Sequence, residues 1–269
     1  MNDAYTKRLL KAIPGGAHTY SRGFDQFPAN APQILKNGLG AYTFDQDNKR
    51  FLDYGMALRS VHLGYAEPAI NQAAIEQINN GNNLTRASLI ELEAAELLIE
   101  LIDSVEMVKF TKNGSTAVSA AIKLARAYTG REMIARCVEH PFFSYDDWFI
   151  ASTPITRGIP LSTIEQTKTF EYNSLASLAK LIDSYPEKFA CVVLEPSTVT
   201  HPCASTTHPG ENYLHDVKRL CHKHGIVFIL DEMITGFRWH LKGAQHYYNV
   251  QADLSTFGKA MANGFSVAA

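Results

Sequence analysis

The sequence carries few features of an oxidising, membrane-embedded or strongly charged setting. Only four of its 269 residues are cysteines (Cys137, Cys191, Cys203, Cys221), and none forms a Cys-x-x-Cys pair. That spacing suits neither a disulfide framework nor a zinc site, so the thiols read as reduced and the protein as cytoplasmic. His201 and His208 have no helical His-x-x-x-His spacing and no acidic companion, so no metal is expected. No apolar run approaches the roughly 18 residues of a membrane span. The opening stretch, MNDAYTKRLLKAIPGG, is amphipathic and lacks the apolar core of a secretory signal. A net charge of −2 offers no electrostatic pull on nucleic acid or an anionic membrane. No Gly-x-Gly-x-x-Gly follows a strand-like run, which argues against a dinucleotide-binding domain.

What is present is the composition of a soluble globular protein, 46% hydrophobic and 19% charged, long enough for one large or two small domains. A helix is expected over residues 3–13, ending at Pro14-Gly15-Gly16. Residues 33–54 read as a small meander, with turn signals at Asn37-Gly38 and Asp47-Asn48. Asp45, Asp47 and Asp53 read there as structural. Helices follow over 69–79 and 88–102, the second opened by Ser88 and Glu91 at capping-box spacing. From residue 107 onward strands and helices alternate. Strands are expected at 107–111, 133–138, 190–194, 226–230 and 254–257, and helices at 114–128, 175–182 and 213–224. Residues 157–168 read as loop. Such alternation argues for an α/β fold with a mostly parallel sheet flanked by helices.

Three places carry chemistry. The apolar run 226–230 ends in Asp231-Glu232, and a carboxylate at the carboxyl end of a buried parallel strand lies where α/β folds place ligands. The run 254–257 ends in Gly258-Lys259-Ala260, where small neighbours allow a lysine to be partly desolvated and to attack a carbonyl. Gly114-Ser115-Thr116 opens a helix after a strand, and free N–H groups with the helix dipole favour a phosphate there. Acid and lysine suit pyridoxal 5'-phosphate (PLP): the lysine forms a Schiff base, and the acid pairs with the ring nitrogen and keeps the ring an electron sink. The alternatives are an ordinary strand-end aspartate, a surface lysine and a plain helix N-cap at Gly114-Ser115-Thr116.

DEMITGFR (231–238) followed by STFGKAMANGF (255–265) resembles the cofactor core of class III, fold-type-I PLP aminotransferases, and most of all the glutamate-1-semialdehyde 2,1-aminomutase subgroup. The resemblance runs from Pro14 to Gly264. It implies Lys259 and Asp231 as catalytic residues and Gly114, Ser115 and Thr116 as phosphate ligands, although the family order there is Ser-Gly-Thr. It implies Met233 against one ring face. Phe142 stands where a Tyr-His-Gly motif usually stacks on the other face; the alternative for Phe142 is a core aromatic. Arg22, after the Pro-Gly-Gly turn, matches an arginine that binds the substrate carboxylate, or is a solvated loop residue. Glu195, in a Glu-Pro pair at a strand end, is carried over as a substrate-side wall. Ile234 stands where many aminotransferases carry glutamine; the aminomutase subgroup has an apolar residue there too, which favours that subgroup.

The resemblance further implies a small-domain segment over residues 1–60, a PLP-binding large domain over 61–269, and a homodimer. The ligands would be a small amino donor and a carbonyl acceptor: glutamate 1-semialdehyde, another amino acid or an amino-sugar precursor. Family members are longer, so the chain reads as C-terminally shortened. The alternative function is a shortened member that is non-catalytic or needs the missing part.

Overall fold

The computed structural model describes residues 4–269. They form two compact units, one ending at Asn83 and one spanning Leu84–Ala269. The division follows the Gly81-Asn82-Asn83 break, and residues 61–83 group with the first unit.

The first unit begins with α1 (Ala4–Ala12) and three single 3-10 turns, Pro14–Gly16, Tyr20–Arg22 and Phe24–Gln26. The expected meander follows as β1 (Leu35–Leu39), β2 (Tyr42–Asp45) and β3 (Arg50–Leu52), antiparallel in that order. Asn37-Gly38 is not its first turn: both residues lie within β1, opposite Phe44 and Thr43, and the chain reverses at Gly40-Ala41. Aspartates hold its turns. Asp45 Oδ1 accepts the N–H groups of Asp47 and Lys49 at 3.0 and 2.9 Å, and Asn48 takes the left-handed φ of +62° that asparagine tolerates. Asp53 Oδ1 accepts from the Gly55 and Met56 amides at 2.8 and 3.2 Å, and its Oδ2 takes the Tyr65 hydroxyl at 2.5 Å. Burial and that carboxylate push the Tyr65 phenol up to about 12.

A strained segment comes next. In α2 (Met56–Arg59) four consecutive non-glycine residues have φ of +47°, +49°, +57° and +68°, so the turn is left-handed. L-residues there meet the following carbonyl with their Cβ, at a cost of roughly 1–2 kcal/mol each. Local hydrogen bonds hold the turn closed: Arg59 N–H to Gly55 O at 2.9 Å and Val61 N–H to Met56 O at 3.0 Å. The unit ends with α3 (Pro68–Asn79).

The second unit starts with α4 (Leu89–Leu101), whose capping box forms as expected between Ser88 and Glu91. α5 (Gly114–Thr129) leads into a five-stranded sheet: β4 (Met133–Cys137), β5 (Thr167–Phe170), β6 (Phe189–Leu194), β7 (Val227–Glu232) and β8 (Leu254–Phe257). The order is β5-β4-β6-β7-β8 and every pairing is parallel. The crossovers carry α6 (Asp147–Ile150), α7 (Leu161–Gln166), α8 (Leu175–Ser184), α9 (Tyr213–Lys223) and α10 (Gly243–Tyr247). Every residue of β6 and β7 is buried, which is why β6 and residues 227–230 of β7 read as unbroken apolar runs. Val192, Leu194, Phe228 and Leu230 pack on one face with α8 and α9, while Val193, Val227 and Ile229 pack on the other with α5.

Two expectations are corrected. Residues 157–168 are not simply loop: they hold α7 and the start of edge strand β5. An edge strand is half wetted, so Lys168 and Thr169 are tolerated and the apolar signal fails. Residues 107–111 form no ladder strand; Thr111 alone bridges Ala268, exchanging backbone hydrogen bonds at 2.7 and 2.9 Å. No helix among the described residues is long and apolar enough to cross a membrane.

The left-handed turn yields a direct expectation. Ala57→Gly removes the Cβ clash at φ +49° and should stabilise the first unit by about 0.5–1 kcal/mol after the entropic penalty of glycine. Thermal denaturation against the parent chain reads this as a raised midpoint; a lowered one would show that α2 is not strained.

Candidate active site

Sheet register sets out the site. Leu194 pairs with Leu230, and Asp231 pairs with Thr256, so Glu195, Asp231 and Thr256 stand side by side at the carboxyl ends of β6, β7 and β8. Asp231 is 1% exposed. Its Oδ1 accepts the Met233 amide at 2.8 Å and the Thr256 hydroxyl at 3.2 Å. Burial raises its carboxyl above the ordinary range, while the Met233 N–H and the Lys259 charge oppose that rise. Lys259 thus acts electrostatically on Asp231 from the end of the neighbouring strand. It is half-buried and holds a left-handed φ of +43°, a conformation that concentrates at functional sites.

Met233 ties three turns together. Its side chain, 7% exposed, packs with Ala117 and Ala268. A Cβ on Gly114 would meet Met233 Sδ at 2.7 Å, and one on Gly258 would meet it at 2.6 Å. The structure therefore brings together Gly114, Met233, Asp231 and the Gly258-Lys259 turn, as the motif order suggested.

At the amino end of α5 the residue that caps the helix is Asn113. Asn113 Oδ1 accepts the Thr116 amide at 3.0 Å and the Thr116 hydroxyl at 3.1 Å. The Ser115 hydroxyl accepts the Tyr145 amide at 3.2 Å. Both predicted hydroxyls are engaged within the protein, and the first-turn N–H groups of Gly114 and Ser115 have no acceptor within the helix. An asparagine directly before the helix was the available signal.

The segment after β4 docks on the same helix. The Ser144 hydroxyl meets Ser119 Oγ at 2.9 Å and donates to the Ser115 carbonyl at 3.2 Å, and Trp148 Nε1 donates to Ser119 Oγ at 3.0 Å. Phe142 is 53% exposed, its ring edge-on to Phe149 at 5.5 Å. Phe143 is the buried aromatic, packed against His140, Trp148 and Phe149. Buried Arg136 pins the segment, donating to the carbonyls of Cys137, Val138, His140 and Ser152 and to the Ser152 hydroxyl.

Two further buried groups carried no sequence signal. His140 Nδ1 accepts the Glu195 amide at 3.0 Å, and burial pulls the imidazole down to about 4. Glu232, fully buried, accepts from the Ala244 and Gln245 amides, the Gln245 side chain and the Thr235 hydroxyl at 2.6–3.1 Å. Arg22 lies exposed in the other unit. Among the described residues no cluster of His, Cys, Asp and Glu could hold a metal ion, and all four cysteines are free.

A family model described as aminotransferase class-III matches residues 25–269. A curated relative, glutamate-1-semialdehyde 2,1-aminomutase 1 of Lachnoclostridium phytofermentans, is 34% identical over 98% of this chain and 62% of its own length. The solved FumI protein of Sphingopyxis sp. MTA144 superposes with a TM-score of 0.87 at 28% identity, over 98% of this chain and 62% of that one. An omega-transaminase from Sphaerobacter thermophilus gives 0.85 at 29%, with the same shares covered. The chain therefore spans about three fifths of the length of these relatives.

The His140 environment predicts a pH dependence. Its folded value, about 4, lies below the ordinary 6.5. Between those two values the unfolded chain binds the proton and the folded chain does not. This contribution to stability is therefore present above pH 6.5 and lost as pH falls toward 4, to a total of about 3 kcal/mol. Urea denaturation across that range should show the loss in the parent chain and its absence in His140→Asn. Parallel curves would refute it.

Proposed function

The chain belongs to the class III aminotransferase family, and on that premise we propose that it serves PLP-dependent amine transfer between small amino and carbonyl compounds. Within the family the reading is an aminomutase of the glutamate-1-semialdehyde type, supported by the 34% identity to that relative and by the apolar Ile234 after Met233. The observation that carries the proposal is the buried Asp231 carboxylate, held by two donors, with Lys259 acting on it from the next strand end.

The residues fit PLP. A buried acid needs a cationic partner, and a protonated pyridine nitrogen is one. The Gly114 turn, backed by Met233 where any Cβ would clash, opens a helix whose first N–H groups suit a phosphate. When bound, the ring supplies an electron sink for the substrate carbon. Asp231 would hold the proton of the ring nitrogen, and Lys259 would hold the ring and move a proton at the substrate carbon. Met233 and Thr256 hold Asp231 in place. Glu195 would wall the substrate side, Phe142 would cover a ring face, and Arg22 would take a substrate carboxylate. The proposal includes a cytoplasmic homodimer; Leu89, Leu92 and Leu97 of α4 are 70, 53 and 53% exposed and call for apolar cover.

Borohydride treatment of the chain with PLP, followed by peptide mass spectrometry, should place the pyridoxyl label on Lys259 and lose it in Lys259→Ala. Label on another lysine, or none on the parent chain, would refute the reading. Asp231→Ala should retain PLP but slow proton abstraction, and Asp231→Glu should recover little, because a misplacement of ~1 Å costs roughly 100-fold. Near-normal turnover in either variant would remove Asp231 from its role.

A further inference from the structure

His140 has no part in the chemistry above, yet it occupies a costly position. Its ring is 1% exposed. Nδ1 accepts the Glu195 amide at 3.0 Å, so that nitrogen carries no proton and Nε2 does. Nε2 finds no hydrogen-bond partner among the described residues. The neighbours at the ring are aromatic: Phe143 edge-on at 5.9 Å and Tyr172 tilted at 5.1 Å. The Tyr172 hydroxyl is committed to the Pro196 carbonyl at 2.6 Å. The segment cannot easily swing to find an acceptor, because the Arg136 guanidinium grips the carbonyls on both sides of it, at Cys137, Val138 and Ser152. A buried donor left unmade costs roughly 1–3 kcal/mol, and such a group calls for a partner that the protein itself does not supply.

Its place in the sheet indicates that partner. The amide it accepts belongs to Glu195, the residue that stands beside Asp231 one strand away. His140 is therefore attached to the same strand-end ledge as the proposed ring-binding acid. A neutral imidazole there offers a donor without adding a positive charge that would compete with Lys259 for Asp231.

Building on the proposed function, we infer that His140 is a ligand-contacting residue of this site, its Nε2–H donating to an oxygen of the bound molecule. That oxygen belongs either to the ring substituent of PLP or to the carboxylate of the amino substrate; the chemistry of the contact is the same.

Two variants separate the ring's two nitrogens. The amide oxygen of His140→Asn falls near the place of Nδ1, so it keeps an acceptor for Glu195 and loses the unpartnered donor. The amide nitrogen of His140→Gln falls near Nε2 and keeps that donor. PLP titration followed by visible absorption, and then L-glutamate binding to the loaded chains, reads both possibilities. If the contact is to the ring oxygen, His140→Asn shifts the absorption band and weakens PLP about 10-fold, while His140→Gln stays within about 3-fold of the parent. If it is to the substrate carboxylate, PLP binding is unchanged and the glutamate Kd rises about 10-fold in the Asn variant only. Should the variants fold poorly, the histidine Nε2–H signal in 15N-labelled parent chain serves instead: it moves on adding PLP or glutamate. Parent chain that loads PLP while its variants behave identically, or whose Nε2–H signal stays put, overturns the inference and leaves the proposed function standing; the donor then meets a structural water. Parent chain that takes up no PLP overturns both.

Discussion

Two adjacent carboxylates, Asp231 and Glu232, end a strand buried on both faces, and the arrangement of the second unit answers their cost. They are 1% and 0% exposed. Removing a charge from water is expensive unless donors or an opposite charge replace the solvent. Successive residues of a strand point to opposite faces, so each carboxylate meets a different solution. Glu232 is satisfied by neutral donors: two backbone amides at the start of α10, the Gln245 side chain and Thr235. Gly243 has no room for a Cβ, which would meet Glu232 Oε1 at 2.7 Å. Among the described residues Asp231 receives two donors and a lysine's field, and burial still raises its carboxyl. The difference separates architecture from chemistry: one acid is saturated, the other keeps capacity for a cation.

The saturated acid steadies the unsaturated one. Through Gln245, Glu232 reaches Ser255 at 3.1 Å, and Ser255 precedes the Thr256 that donates to Asp231. Gln245 also accepts from Ser104 at 2.5 Å, which ties the network to the segment entering the Thr111 bridge and α5. A buried polar network in which each member is paired rigidifies its surroundings. Under the proposed function rigid placement would matter, because proton movement at a substrate carbon depends on sub-ångström positioning. The helix that opens at Gly114 and the turn that carries Lys259 are held to this frame by one flexible thioether, Met233, which fills the space two glycines leave open.

The loop after β4 is built on a different principle. Arg136 is a buried cation satisfied by carbonyls and a hydroxyl, with Phe149 at 5.1 Å from its guanidinium carbon. It fixes His140 and, through Ser144 and Trp148, the approach to the α5 amino end. Nothing in the string HPFFSYDDW distinguishes which of its two phenylalanines is buried, because in an irregular segment no periodicity assigns faces. The structure buries Phe143 and leaves Phe142 half exposed.

The sequence by itself determined the α/β class, the positions of β4, β6, β7 and β8, the Ser88 cap and the places of Asp231 and Lys259 at strand ends. These are local facts: an unbroken apolar run is a strand buried on both faces, and its carboxyl end is where the polar residues begin. The meander turns at Asp47-Asn48 were legible for the same reason, since a left-handed φ restricts residue type. Tertiary structure alone decided the rest. Edge strand β5 was lost in a polar stretch because its solvent side needs no apolar residue. The bridge at Thr111 depends on a residue 157 positions away. The capping of Thr116 by Asn113, the fourfold satisfaction of Glu232 and the buried, unpartnered Nε2 of His140 arise from distances between groups that no spacing encodes. Periodicity reports which face of an element is buried; which polar atom meets which is fixed only when elements pack.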